Sequence, residues 1–453
     1  MSVRTDIPMP EPDGRTTGEL GPVLPMTAEV RDGHLWMGGV DLVDLARREG
    51  TALYVMDQAH IEHQLKEFHD SMARAFDNGI VVYAGKAFTG IAMCHLVQQA
   101  GCHLLAASGG ELAVALAAGF PASDISMHGN NKTEAEIEEA ISAGVGRLVV
   151  DSAEELARID RIAGAHGVCQ PVLVRVKPGV VADTHEFLQV GAEDSKFGFG
   201  ISDGTAYDAI EQALACTHVD LKGAQVHIGS QIFALESYQK TATIMARFFA
   251  DVRKRFGVTL AELDTGGGIG IAYLSTDEPP EIADYVEVLA ESLEHAFSVV
   301  GMAMPTVYIE PGRSVVADAG VTLYTVGSVK DLPGIRTYVS VDGGMTDNIR
   351  TALYGARYEA IVANKADQPR TRVVTIAGKH CESGDIVDYN ASIQDVVPGD
   401  IVCIFTTGAY NQTMSSNYNK QVRPAVVFVK DGKARTVIRR ETYDDLLACE
   451  VRD

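Results

Sequence analysis

Basic residues are scarce in this sequence: 38 lysines and arginines stand against 61 acidic residues, for a formal charge of −23. Nucleic acid and anionic membrane surfaces both need a basic footprint to release counterions or hold headgroups, so neither is expected as a partner. No apolar run reaches the ~18 residues of a membrane span, and no basic stretch followed by an apolar one opens the chain. A membrane span and a secretory signal are therefore not expected. Cysteine is sparse and unpatterned. The seven (Cys94, Cys102, Cys169, Cys216, Cys381, Cys403 and Cys449) form no Cys-x-x-Cys pair and no zinc-like spacing. That argues against a disulfide framework or a metal centre and predicts free thiols in a reducing, cytoplasmic setting.

What is present fits a two-domain enzyme. At 453 residues, 46% hydrophobic and 22% charged, the chain is long enough for one large and one smaller core. Residues 1–26 hold five of the 16 prolines and are predicted to be a flexible arm. Residues 27–50, with strand and turn character at Glu29–Gly39, are predicted to complete a β domain. From 51 to 313, short apolar runs (Ala52–Met56, Ile80–Tyr83, His103–Ala106, Arg147–Val150, Pro171–Val176, Gln225–His227, Glu262–Asp264, Thr306–Ile309) alternate with amphipathic helical stretches. That rhythm predicts an α/β fold, a closed (β/α)8 TIM-like barrel. From 314 to 453 strands dominate, predicting a C-terminal β domain.

Several motifs sit where such a barrel places chemistry, at the ends of strands. Lys86 follows Val81-Val82-Tyr83-Ala84-Gly85, and a partly desolvated lysine there can form a Schiff base. In Asp264-Thr265-Gly266-Gly267-Gly268, adjacent glycines let backbone N–H groups turn toward a phosphate; the Gly-x-Gly-x-x-Gly dinucleotide spacing is absent. Glu310-Pro311-Gly312-Arg313 offers an acid able to hold a pyridine nitrogen protonated and an arginine able to grip an anion. His227-Ile228-Gly229-Ser230 supplies an imidazole that can stack on a ring and a hydroxyl for phosphate. In the β domain, Cys381-Glu382-Ser383 sets a thiol beside a carboxylate, while Arg350, Tyr354 and Tyr410 add a second guanidinium and two phenols. Taken singly, each has an ordinary structural explanation. Their order along one chain is what carries meaning.

With Ser108-Gly109-Gly110-Glu111-Leu112, His128-Gly129-Asn130-Asn131-Lys132, Lys196-Phe197-Gly198, Gly408-Ala409-Tyr410 and Ser415-Ser416-Asn417-Tyr418-Asn419, these motifs resemble the fold type III, alanine racemase-like decarboxylases that use pyridoxal 5′-phosphate (PLP). The resemblance runs from Thr51 to the C-terminus. It implies that Lys86 carries PLP, that His227 stacks on its ring and that Glu310 pairs with its nitrogen. Ser230, Gly268, Gly312, Arg313 and Tyr410 would surround the rest of the cofactor. Arg313, Arg350, Tyr354, Glu382 and Tyr410 would contact an amino-acid substrate, and Cys381 would donate a proton across a homodimer with shared active sites. The implied reaction is decarboxylation of meso-2,6-diaminopimelate to L-lysine. The alternatives are a decarboxylase for ornithine, lysine, carboxynorspermidine or a carrier-linked amino acid, then a racemase, then a non-enzymatic PLP carrier. Two positions depart from the family pattern. Leu105 stands where an aspartate is usual, and Ile349 and Thr351 stand where prolines flank the arginine. The first is expected to change hydrogen bonding under the cofactor, the second to reshape the substrate loop.

Overall fold

The computed structural model describes residues 10–180 and 195–451. The chain divides into two compact units, Gln64–Gly270 with Pro279–Ser314, and Met1–His63 with Ile271–Glu278 and Val315–Asp453.

The first unit is a closed barrel. Eight parallel strands, Gly79–Ala84, His103–Ala106, Ile125–Met127, Arg147–Val150, Gln170–Lys177, Val219–Val226, Glu262–Asp264 and Thr306–Ile309, pair in chain order. Val307 opposite Gly79 closes the ring. The runs lack alternation because both strand faces are covered: Val172, Leu173 and Val174 in succession are all buried. The returning helices start and stop on local signals. Thr133 caps Glu134–Ala143 in a capping box with Glu136, Ser152 caps Ala153–His166, and left-handed Gly144 and Gly167 end them. Each turn is thereby set by its own residues, which fixes where the strand ends deliver their side chains.

The second unit holds a small meander (Glu29–Arg31, His34–Met37, Val40–Asp41) and a larger sheet. Its strands run in the order Ile386–Ile393, Arg372–Ala377, Arg336–Val341, Gly320–Leu332, Leu53–Asp57, Ala425–Lys430, Lys433–Ile438. Ile401–Ile404 also pairs with Gly320–Leu332, and Ala360–Val362 pairs with Ile401–Ile404.

Three expectations change. The run Ala52–Met56 is no barrel strand: Leu53–Asp57 lies between Gly320–Leu332 and Ala425–Lys430 in the β unit. The barrel strand it displaces is the short Ile125–Met127. The predicted flexible arm is partly core, since Leu20 and Val23 are fully buried with Leu35, Leu42, Val55 and Val427; residues 1–9 of that arm lie outside the described residues.

Candidate active site

Polar residues gather at the carboxyl ends of the barrel strands. Glu310 follows Thr306–Ile309 and is buried. His128, one residue beyond Ile125–Met127, places Nε2 2.7 Å from Glu310 Oε1. Gln225, inside Val219–Val226, donates from Nε2 to Glu310 Oε2 at 3.0 Å. Asp264 ends Glu262–Asp264 fully buried, and its Oδ1 accepts the Gly266 N–H at 2.8 Å. Two carboxyl groups this deep do not both ionise. Burial, then Glu310, pushes Asp264 well above the carboxylate range, toward its neutral form. Burial acts the same way on Glu310, but His128, His227 and Lys86 outweigh it and bring Glu310 down to about 2. Burial, aided by Lys86 and Arg175, lowers buried His227 to about 3, so its imidazole is neutral. Burial also lowers His128 against the pull of Glu310.

Three loops close around that acid. A Cβ on Gly267 would meet the Glu310 carbonyl oxygen at 2.1 Å, and one on Gly268, at φ 111°, would meet the Gly229 carbonyl oxygen at 2.2 Å. Only glycine permits this approach. The Ile232 N–H donates to the Gly268 carbonyl at 2.9 Å, the Glu310 N–H to the Gly266 carbonyl at 2.7 Å, and Arg313 Nη2 to Ser230 Oγ at 3.1 Å. Ser230, Gly268 and Arg313 thus meet in one glycine-lined, cationic cradle, and a Cβ on the neighbouring Gly312 would meet Ala84 and Ala87 beside Lys86. Lys86 is exposed at the end of Gly79–Ala84, and its charge is felt at Glu111, His227 and Glu310.

This donor set fits PLP. An ionised carboxylate suits a protonated ring nitrogen, a neutral imidazole whose buried Nδ1 has no hydrogen-bond partner among the described residues suits a ring face, and the cradle suits a phosphate. His128, Asp264 and Glu310 also bring potential metal ligands within 4.8 Å of one another. Lys86 and Arg175 bring positive charge to the same carboxylates. Leu105 is buried with Val82, Ala84 and Tyr308. Where the family pattern has a carboxylate, this chain has packing.

The β unit holds a second cluster. Arg350 opens the helix Arg350–Tyr354 and is only 7% exposed. Its Nη1 donates to the Tyr358 hydroxyl at 2.8 Å, and its guanidinium carbon lies 4.6 Å from the Tyr273 ring centroid. Among the described residues no carboxylate forms an ion pair with it. Tyr410, at φ 58°, contributes to the same field. Thr351 Oγ1 donates to the Val387 carbonyl at 2.7 Å, and Val387 is skipped where the register of Ile386–Ile393 shifts against Arg372–Ala377. A hydroxyl on a bulge carbonyl thus anchors this helix where flanking prolines are usual. Tyr354 is half-buried at the helix end. Cys381 and Glu382 are exposed, with Glu382 accepting from the Tyr418 hydroxyl at 2.6 Å. Asp385 pins their loop through the His380 and Met345 N–H groups at 2.8 and 2.6 Å.

The barrel therefore gathers Lys86, His227, Ser230, Gly268, Glu310, Gly312 and Arg313, and the β unit gathers Arg350 with Tyr410. Among the described residues, no hydrogen bond or ion pair joins Tyr354, Cys381 or Glu382 to the Arg350 cluster. Sequence reasoning missed Gln225, Arg175, Tyr273 and Tyr358, and gave no role to His128. A charged or amide residue inside an apolar strand run was the available signal for Gln225 and Arg175; Tyr273 and Tyr358 had none.

A barrel that sets a lysine, an ionised carboxylate and a phosphate cradle at its strand ends is the architecture of a PLP-dependent decarboxylase. Sequence comparison agrees: the family described as pyridoxal-dependent decarboxylase, pyridoxal binding domain, matches residues 58–317. Diaminopimelate decarboxylase of Bacillus subtilis is 45% identical over 419 residues, 92% of this chain and 95% of that one. Its Mycobacterium tuberculosis counterpart is 43% identical over 430 residues, covering 93% and 95%. The crystal structure of diaminopimelate decarboxylase from M. jannaschii in co-complex with L-lysine superposes with a TM-score of 0.87 at 32% identity, covering 94% of this chain and 98% of that one. The chain belongs to the diaminopimelate decarboxylase family. Among the described residues no helix is long and apolar enough to cross a membrane.

Proposed function

We propose that this enzyme removes CO2 from meso-2,6-diaminopimelate to give L-lysine, with PLP as cofactor. Arg350 carries the reading. A guanidinium buried among phenols, with no carboxylate partner among the described residues, is costly unless a ligand supplies the anion. The distal carboxylate of diaminopimelate is such an anion, whereas ornithine and lysine lack it.

Lys86 would anchor the cofactor, Glu310 would favour a protonated ring nitrogen, His227 would cover the ring as a neutral imidazole, and Ser230, Gly268, Gly312 and Arg313 would hold the phosphate, with Tyr410 completing the surround. Bound PLP supplies an electron sink for the pair left when the Cα–carboxylate bond breaks. Arg350, with Arg313, binds the distal carboxylate and Glu382 the distal ammonium. With Tyr354 and Tyr410 flanking the substrate, this orients the bond to be broken. The carboxylate carbon leaves as CO2, and the partner subunit's Cys381 returns a proton to Cα. The enzyme works in this reading as a homodimer with shared sites, and its free thiols suit the cytoplasm.

The test supplies PLP and a panel of amino acids to the purified protein, then measures CO2 and the amine formed. Equal amounts of CO2 and L-lysine from diaminopimelate, at an efficiency at least about tenfold above that for lysine or ornithine, are expected. Equal turnover of ornithine overturns the substrate assignment.

A further inference from the structure

We propose that Tyr358 is a positioning residue that aims the Arg350 guanidinium and so sets selectivity for a substrate with a distal carboxylate; this rests on the role given to Arg350 above. Tyr358 is 3% exposed. Its oxygen accepts from Arg350 Nη1 at 2.8 Å and its hydroxyl donates onward to Asn348 Oδ1 at 3.3 Å, so the relay has one direction. The Asn348 residue that receives it is itself buried, two positions before Arg350.

The aromatic walls of the arginine are fixed to each other. The Tyr273 and Tyr358 rings meet edge to face, centroids 5.8 Å apart at 77°. Glu359, next to Tyr358, accepts from Ser275 Oγ at 2.5 Å and from the Ser275 N–H at 3.2 Å, two residues beyond Tyr273. Arg370 Nη1 holds the other oxygen of Glu359 at 2.6 Å. On the far side, the Tyr358 N–H donates to Asp388 Oδ2 at 3.2 Å. An unconstrained arginine side chain samples many rotamers; this one is clamped at one nitrogen and against one ring face.

The choice of a phenol matters as much as the clamp. A carboxylate in place of the Tyr358 hydroxyl would neutralise Arg350 and remove its need for an anionic ligand. A neutral acceptor takes one of the five guanidinium N–H donors and leaves the charge and the remaining donors for the substrate.

The test compares wild type, Tyr358→Phe, Arg350→Ala and the double variant, each as PLP-loaded holoenzyme, on diaminopimelate and on L-lysine, which lacks the distal carboxylate. Tyr358→Phe keeps the ring and removes the hydroxyl. It is expected to raise KM for diaminopimelate by about three- to tenfold, less than the about ten- to hundredfold worth of a charge-assisted hydrogen bond because the guanidinium and its charge remain, with a smaller change in kcat and an unchanged cofactor spectrum. The preference for diaminopimelate over lysine should fall by the same factor. In the Arg350→Ala background, Tyr358→Phe should add nothing. A further loss there, or equal losses on both substrates, makes Tyr358 structural and overturns the proposal. A wild-type enzyme with no preference for diaminopimelate instead overturns the underlying substrate reading. Loss of preference in Arg350→Ala but not in Tyr358→Phe overturns this inference alone. Should Tyr358→Phe not fold, Asn348→Ser, which weakens the relay one bond further out, must raise KM in the same direction; an unchanged KM refutes the relay.

Discussion

The two polar clusters of this molecule treat charge in opposite ways. Inside the barrel several buried charges are paired by the protein, Lys132 with Glu155 at 2.9 Å and Arg175 with Asp151 at 3.5 Å, and His128 Nε2 lies 2.7 Å from Glu310. In the β unit, among the described residues, Arg350 is answered by phenols and by no carboxylate. A buried charge with internal partners is stable whether or not a ligand is present, which suits a resident cofactor. A buried cation without one becomes favourable only when an anion arrives. Such a group supplies discrimination between substrates, because the wrong substrate leaves it unpaired.

The comparison breaks most visibly at Lys86 and Cys381. Lys86→Ala and Cys381→Ala are each expected to lower kcat by about a thousandfold or more, in the range of lost covalent and acid–base roles. Borohydride reduction of wild type should place a pyridoxyl label on Lys86 alone. If sites are shared across a two-fold dimer, mixing the two variants under subunit exchange should restore about a quarter of wild-type activity, because half the dimers are mixed and each has one intact site. No recovery, with exchange verified by a tagged pull-down, rules out shared sites.

Arg350→Ala sharpens the contrast on the other side. It should reduce kcat/KM for diaminopimelate by about ten- to a hundredfold, the worth of a charged hydrogen bond, while the cofactor spectrum and the Lys86 label stay as in wild type. Loss of cofactor in this variant would mean that the two clusters are not chemically separate.

Acid should expose the same division. Folding lowers the pKa of His227 from 6.5 to about 3, favouring the neutral ring, so its contribution to stability is complete above pH 6.5 and is lost as pH falls toward 3. In the β unit, burial raises Asp347 from 3.8 to about 7. Its neutral form is favoured, and stability is lost as pH rises from 3.8 toward 7. The Tm advantage of wild type over His227→Asn should therefore shrink on acidification from pH 6.5 to 3. The Tm of Asp347→Asn relative to wild type should climb from pH 4 to 7. A gap that does not change with pH, in either variant, removes that residue from the account.

Much of the barrel was legible in the sequence, and the reason is local. A strand that ends in glycine followed by lysine, or in Asp-Thr-Gly-Gly-Gly, carries its turn and its chemistry in adjacent residues. Ala52–Met56 misled because an apolar run buried on both faces reads alike in a barrel and in a sheet of the β unit. Ile125–Met127 was passed over because it has three residues with a serine in the middle. The upward shift of Asp264 was illegible as well, since it comes from burial in the folded barrel and from Glu310, distant in sequence. Tyr273 and Tyr358 belong to no motif; only the fold brings their rings together around Arg350.

The smallest expected effect tests how the β unit holds that arginine. In place of prolines that would stiffen the backbone, Thr351 ties the first turn of the Arg350 helix to the bulge carbonyl of Val387. Thr351→Val keeps the shape and removes the hydroxyl, leaving the carbonyl without this partner. The helix should then sample more orientations, raising KM for diaminopimelate by about threefold, toward the low end for one neutral hydrogen bond. kcat and PLP content should not move, because nothing in the barrel is touched. Thr351→Ser restores the hydroxyl and should restore KM. If Thr351→Val and Thr351→Ser behave alike, the threonine acts through its volume, and the anchoring of Arg350 must come from its phenol contacts alone.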